Sequence, residues 1–377
     1  MANDKFIIED GVLTKYVGNS KSIVVPEGVT SIGVSAFENN GYLTSITFPS
    51  TLKSIGASAL EYCVNLTEVT LPEGLATIGW GAFGSCPGLQ SIALPTSLTE
   101  IGGAAFYECK SLSSIAIPSA VTAIGERAFV DCNSLSSITV EKGNPKYHSE
   151  NNCIIETATN TLVAGCSASV IPDYVTSICK SAFECCRSLT EIAIPSSVTQ
   201  IGEKAFYCCQ SLTEITIPSS VTEIGLPMAI GCEALVSLTV EEGNPRYHSD
   251  HNCIIETETK TLILGCRSSV IHEGVTSIGD QAFSECPSFV FIPNSVTKIG
   301  ESAFYCCQSL TEITIPSSVT EIGADAFSEC GSLTSITYVG TLAEWAAVEK
   351  WYWADEFVPA EVVHCSDGDA PIEKEEY

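Results

Sequence analysis

The chain is predicted to fold as an α/β repeat solenoid. It should be a right-handed coil with a parallel β-sheet on one face, short helical, 3₁₀ or extended segments on the other, and more strand than helix. Three ladders predict this. Pro26, Pro49, Pro72, Pro95 and Pro118 recur every 23 residues. Cys63, Cys86, Cys109 and Cys132 keep the same step, as do Phe83, Phe106 and Phe129, followed by Phe183 and Phe206. A fixed period of this size means stacked units, none of which can bury its apolar face alone. The right hand follows from the preferred crossover between parallel strands.

The unit is read most clearly in LTEITIPSSVTEIG, residues 212–225, preceded by AFYCCQS. Ile215 and Ile217 alternate with Thr216, a strand pattern, and Pro218 stops the strand by removing a donor. Val221 and Ile224 should point inward again, and Gly225 is expected to permit a tight turn. Ala205, Phe206 and Cys209 complete the other wall, where strand signals are absent and a short helical or 3₁₀ turn is expected. Phe206→Ala should then cost about 3–5 kcal/mol, and Thr216→Ala, on the solvated face, under about 0.5 kcal/mol.

The succession Leu-x-x-Ile-x-Ile-Pro, Val-x-x-Ile-Gly and Ala-Phe-x-x-Cys resembles the BspA-like class of leucine-rich repeat, over nearly the whole chain. The resemblance implies a leucine-rich-repeat coil, a bacterial cell-surface or secreted setting, and adhesion to host proteins or neighbouring cells. It also implies that the cysteine column, in which Asn40 takes the first place, is an inward group bonded to loop backbone.

The proline ladder jumps by 54 residues from Pro118 to Pro172, and again from Pro218 to His272, which replaces the proline. Each gap holds a copy of one insert. GNPKYHSENNCIIETATNTLVAGC (143–166) and GNPRYHSDHNCIIETETKTLILGC (243–266) lie 100 residues apart. In the first, Ile154-Ile155 and Leu162-Val163 flank a Thr-rich turn and read as a β-hairpin. The expected organisation is a single solenoid over 1–340, with an N-terminal hairpin cap at 1–26 and hairpin inserts at 141–171 and 241–271. A C-terminal cap at 341–365 carries a capping box at Thr341–Glu344 and a helix to about Tyr352. The acidic tail 366–377 is expected to be disordered. The sequence FVFIPNSV around Phe289 should form an irregular coil, and LPMAI at 226–230, with Ala229 in the phenylalanine column, a loosened one.

The formal charge of −28 argues against nucleic acid, whose phosphates need clustered cations. It also disfavours anionic lipid. No apolar run reaches the length of a membrane helix, and no secretion signal opens the chain, so a cytoplasmic setting stands as the alternative to the cell surface.

Ten of the 19 cysteines fall in one column and read as small buried hydrophobes with a weak donor. Cys185, Cys208 and Cys306, their neighbours, are expected to face outward. Cys153 with Cys166, and Cys253 with Cys266, could meet across the hairpins. No Cys-x-x-Cys occurs and the five histidines are scattered, so no metal site is expected. His148 and His248 read as plain loop residues. No nucleophile, zinc or phosphate motif is present, and the departures from the repeat remove side chains without adding an acid–base pair. No catalytic residue and no cofactor are therefore expected.

What remains is surface. Thr67, Glu68 and Thr70, and Thr213, Glu214 and Thr216, line the outward strand face. Tyr107, Tyr207 and Tyr305 share one place on another wall, where they are expected to shield the turn below them, the alternative being an aromatic stripe for a protein or glycan. These nine residues are the candidate binding surface. The expected function is a non-catalytic protein-interaction or adhesion module, monomeric, that binds a protein partner such as host matrix or another cell surface. The alternatives are a structural spacer without a specific ligand and a glycan-binding module.

Overall fold

Two hydrogen-bonded ladders of parallel strand, set apart by one proline turn in each coil, build the walls of this protein. The computed structural model describes residues 5–286, 291–350, 352–354 and 357–372. It divides into two compact units, Met1–Leu189 and Thr190–Tyr377.

In the first unit, an antiparallel hairpin of Phe6–Glu9 and Val12–Tyr16 opens the chain, and its second strand pairs in parallel with Ser31–Ile32. The short ladder continues through Ser54–Ile55, Thr77–Ile78, Glu100–Ile101 and Ala123–Ile124. The longer strands carry the Ile-x-Ile motif. Ser22–Val24, Ser45–Thr47 and Glu68–Thr70 pair in register, with Ile23 opposite Ile46 and Ile46 opposite Val69; Ser114–Ile117 pairs with Ser137–Val140 in the same way. One strand per coil was expected. The second arises because x-Ile-Gly runs straight for two residues before the chain turns.

The glycine after that isoleucine serves a purpose different from the one expected. A Cβ at Gly79 would lie 2.8 Å from the backbone nitrogen of Ala57, and one at Gly323 would lie 2.5 Å from that of Glu301. Gly225 likewise lies against Glu203 of the preceding coil, without a positive φ. Adjacent coils touch at this point, and only the missing side chain lets them.

The Ala-Phe wall is a ladder of turns. Each stretch closes bonds three residues apart, such as Glu38 N–H to Ser35 O and Cys63 N–H to Leu60 O. Two residues four apart in each stretch are left-handed, however: Ser35 and Asn39, Ser58 and Tyr62, Lys204 and Cys208, Ser302 and Cys306. The left-handed twist turns each such N–H toward the next coil, as Tyr62 to Gly84 O and Cys208 to Ile230 O. A 3₁₀ helix would keep those donors within the coil. Here they stitch coils together.

Side chains on this wall form the core. Phe83, Phe106 and Phe129 stack with ring centroids 5.6 and 5.9 Å apart and nearly parallel planes. Tyr16 and Phe6 continue the aromatic packing from Phe37 to the N-terminal edge. The column thiols point inward and donate to the carbonyl of the previous phenylalanine column: Cys109 to Phe83 O at 3.2 Å, and Cys132 to Phe106 O at 3.1 Å. Burial pushes the Cys63 thiol up to about 12. The neighbour Cys185 is buried, contrary to expectation. It occupies a left-handed turn position in the coil that follows the first insert.

The second unit repeats these rules. Gln200–Ile201 pairs with Glu223–Ile224, and Glu214–Ile217 with Ser237–Val240. Phe283, Phe304 and Phe327 stack at 5.5 and 5.3 Å, and Trp353 closes the stack edge-on at 5.8 Å. The helix Leu342–Ala347 begins with the Thr341–Glu344 capping box and ends five residues before Tyr352. Glu349–Lys350 leaves it to join the short-strand ladder beside Glu321–Ile322, which a longer helix would forbid. Residues after Ser366 were expected to be disordered. Instead Gly368–Pro371 pairs antiparallel with Val362–Cys365 and covers that strand's open edge; residues 373–377 lie outside the described residues. So do Trp351 of the tryptophan cluster and residues 287–290 of the irregular coil around Phe289.

At 226–230 the ladder is not loosened. Phe206 N–H still donates to Met228 O at 2.9 Å and Cys208 N–H to Ile230 O at 2.7 Å. Buried Met228 supplies apolar volume beside the small Ala229.

Candidate functional site

The inserts are the places where the repeat breaks, and each is pinned by its own polar residues. Tyr147–Glu150, Cys153–Glu156 and Thr161–Ala164 form an antiparallel meander, and Thr161–Leu162 then joins Ser177–Ile178 in parallel. The Tyr247–Asp250, Cys253–Glu256 and Thr261–Leu264 strands do the same with Ser277–Ile278. The first strand of each meander was not foreseen. Asn144 explains why it holds: its Nδ2 donates to Pro118 O and Val121 O of the preceding coil, and its Oδ1 accepts from Lys146 and Tyr147 N–H. Asn244 repeats all four bonds. Cys153 and Cys166, and Cys253 and Cys266, are buried free thiols, and burial raises Cys153 and Cys253 to about 12.

In the first unit the break beside the insert is clasped shut. Arg127 reaches buried Glu184 at 2.7 Å, and Arg187 reaches buried Asp131 at 2.9 Å. A cavity of about 130 Å³ remains, lined in part by Cys179, Ser181, Glu184 and Cys186. Within it Glu184 Oε2 and Ser181 Oγ find no protein partner. Tyr107 is half-buried beneath Arg127, whose guanidinium lies 5.2 Å from the ring centre. Burial, then the neighbouring Glu108, pushes its phenol up to about 12.

In the second unit the equivalent break is open. Clefts of about 710, 630 and 320 Å³ lie around it. The 320 Å³ cleft brings Tyr207 and Tyr305 together with Lys204 and Glu285. Tyr207 Oη donates to Glu285 Oε1 at 3.2 Å, and Lys204 Nζ sits 5.7 Å from the Tyr207 ring centre. Burial, then the Glu285 charge, raises the Tyr207 phenol well above its ordinary value.

The BspA type Leucine rich repeat region (6 copies) matches residues 8–136, 55–159, 163–253 and 260–346. The chain belongs to the BspA-type leucine-rich repeat family. Its fold is similar to that of a leucine-rich repeat protein from Eubacterium ventriosum ATCC 27560, at 26% identity, with 86% of this chain and 89% of that one covered and a TM-score of 0.61. It is also similar to a leucine-rich repeat protein from Bacteroides ovatus ATCC 8483, at 27% identity, 88% and 86% coverage and a TM-score of 0.50. A leucine rich cell surface protein from Faecalibacterium prausnitzii A2-165 matches at 26% identity, 91% and 95% coverage and a TM-score of 0.49. No curated protein matches the sequence.

Read as a BspA-type repeat protein, the chain separates its nine candidate surface residues into two kinds. The strand-face residues Thr67, Glu68, Thr70, Thr213, Glu214 and Thr216 are exposed, yet several of their hydroxyls are spent within the wall. Thr67 Oγ1 donates to Thr44 O, Thr213 Oγ1 to Thr190 O, and Thr216 bonds Thr239 Oγ1 at 2.9 Å. The tyrosines are half-buried, and of the three, Tyr207 and Tyr305 share a cleft. Trp80, 58% exposed in the first unit, carries no periodic signal because no other coil repeats it.

The histidines are less scattered than expected. His148 is held by Thr157 and Tyr174, and His248 by Thr257. His251 and His272, by contrast, stack with ring centroids 3.6 Å apart beside Asp250. Here the departures from the repeat add side chains. Among the described residues, no helix is long and apolar enough to cross a membrane.

Proposed function

We propose that this BspA-type repeat protein is a non-catalytic interaction module of a bacterial cell surface, and that it holds a protein partner through the clefts beside its second insert. The observation that carries the reading is the cleft of Tyr207, Tyr305, Lys204 and Glu285. It combines aromatic faces with both charges, the composition that anchors protein interfaces. The strand face offers small hydroxyl residues already bonded to neighbouring coils, so partner contacts there would gain little. Adhesion to host matrix or to another cell is the setting the family resemblance suggests.

The test is binding of the purified full chain to immobilised matrix proteins and to whole neighbouring bacteria, at several salt concentrations. Tyr207→Ala with Tyr305→Ala should weaken binding at least about tenfold, and Thr213→Ala with Thr216→Ala should leave it unchanged. Equal loss in both pairs would move the interface to the strand face. The self-bonded strand face favours a second reading, a spacer with no ligand; saturable binding lost only in the tyrosine variant would exclude it.

A further inference from the structure

A separate cluster marks the second insert and is absent from the first. Asp250 ends the strand Tyr247–Asp250, His251 begins the turn to Cys253–Glu256, and His272 opens the coil that follows. Val270 N–H donates to His251 O at 3.1 Å and holds the two stretches together. One Asp250 carboxylate oxygen is hydrogen-bonded to His251 Nδ1, and the other lies 3.7 Å from His272 Nδ1. One donor atom from each residue falls within 4.8 Å of the other two. We propose that Asp250, His251 and His272 form a surface site for a divalent transition-metal ion of the zinc class, independent of the partner cleft.

Comparison of the two copies separates this from a chance meeting of surface residues. The matching residues of the first insert are Glu150, Asn151 and Pro172. Position 272 belongs to a column that is proline at 26, 49, 72, 95, 118, 172, 195, 218, 293 and 316. Position 251 is left-handed, with φ 45°, as Asn151 is at 48°. Asparagine and histidine are both among the residues that tolerate that backbone. Two separate changes have therefore brought imidazoles face to face at a carboxylate, and the one at 272 gives up the proline that the column otherwise carries.

Two imidazole nitrogens and a carboxylate oxygen suit zinc, cobalt, nickel or copper, whereas calcium and magnesium prefer oxygen donors throughout. Bonds of about 2.0–2.2 Å in a tetrahedron place donors roughly 3.3–3.6 Å apart. Side chains this exposed can close the remaining distance by rotation. Three protein ligands leave a fourth position for water or for a donor from another molecule. The bound ion would clip the meander's first turn to the coil behind it.

The experiment titrates the full chain with Co²⁺ and then Zn²⁺, slightly above neutral pH, where free imidazoles are unprotonated. Saturable binding of one ion per chain is expected, with a cobalt spectrum that lacks thiolate charge-transfer bands. His251→Asn and His272→Pro should each weaken it at least about tenfold, and His248→Ala should not. Both replacements restore residues that the first insert carries, so the fold should persist; thermal midpoints without metal check this. Thiolate bands, equal binding by all variants, or no saturable binding would overturn the proposal.

Discussion

The two inserts are near copies in sequence, yet their surroundings have diverged in opposite directions. Around the first, Arg127, Asp131, Glu184 and Arg187 form two ion pairs whose carboxylates are buried, and only a small cavity remains. One hundred residues on, those places are Pro227, Gly231, Ser284 and Pro287. The clasp is gone, and wide clefts stand in its place. The phenylalanine column changes too, from Phe129 to Ala229. The insert itself is held alike in both, by Asn144 and Asn244. A duplicated element can thus stay structurally constant while its neighbours choose between a sealed joint and open clefts.

The largest effect is expected of alkali, because many thiols act together and both units carry them. Burial raises Cys63, Cys153 and Cys253 to about 12 from an ordinary value of 9.0. The folded chain then keeps protons that the unfolded chain releases. This stability is intact below about pH 9 and falls as pH climbs toward about 12. Thermal unfolding followed across that range should show a steep drop in the midpoint, and a flat profile would mean the thiols are not buried as described.

Next comes the aromatic stack. Phe129→Ala writes the second joint's residue into the first and should cost about 3–5 kcal/mol in urea unfolding, as should Phe206→Ala. A loss under about 1 kcal/mol at Phe129 would show that the first joint needs its ring no more than the second does. The clasp should matter less. Asp131→Ala and Glu184→Ala each remove the partner of a half-exposed arginine, and about 1–3 kcal/mol is expected. If both are silent, the sealed joint owes nothing to its ion pairs. Smallest of all, Thr216→Ala should cost under about 0.5 kcal/mol, since it removes an exposed hydroxyl pair with Thr239 and leaves the backbone ladder intact.

Much of the fold was legible in the sequence, because a repeat states each contact many times. The phenylalanine and cysteine columns face inward as their period requires, and the strand motif Ile-x-Ile lies where its alternation puts it. The second strand of each coil was not legible, since two residues are too few to show alternation. The role of the glycine column is hidden for a related reason. A glycine required by a neighbouring coil looks, in one dimension, like a glycine required by a turn. The candidate site was only half visible. Tyr207 and Tyr305 share a column in the sequence, but their meeting in one cleft joins coils on either side of the second insert. His251 and His272 are 21 residues apart, and no local spacing rule joins them.

The sequence alone determined the stacking, since side chains that recur at a constant step can be buried only against their own copies in adjacent coils. The tertiary structure decided where that stacking is interrupted to effect. Whether a joint closes or opens depends on charges and rings brought together from coils far apart in the chain, and those distances are set by packing, which no single period encodes.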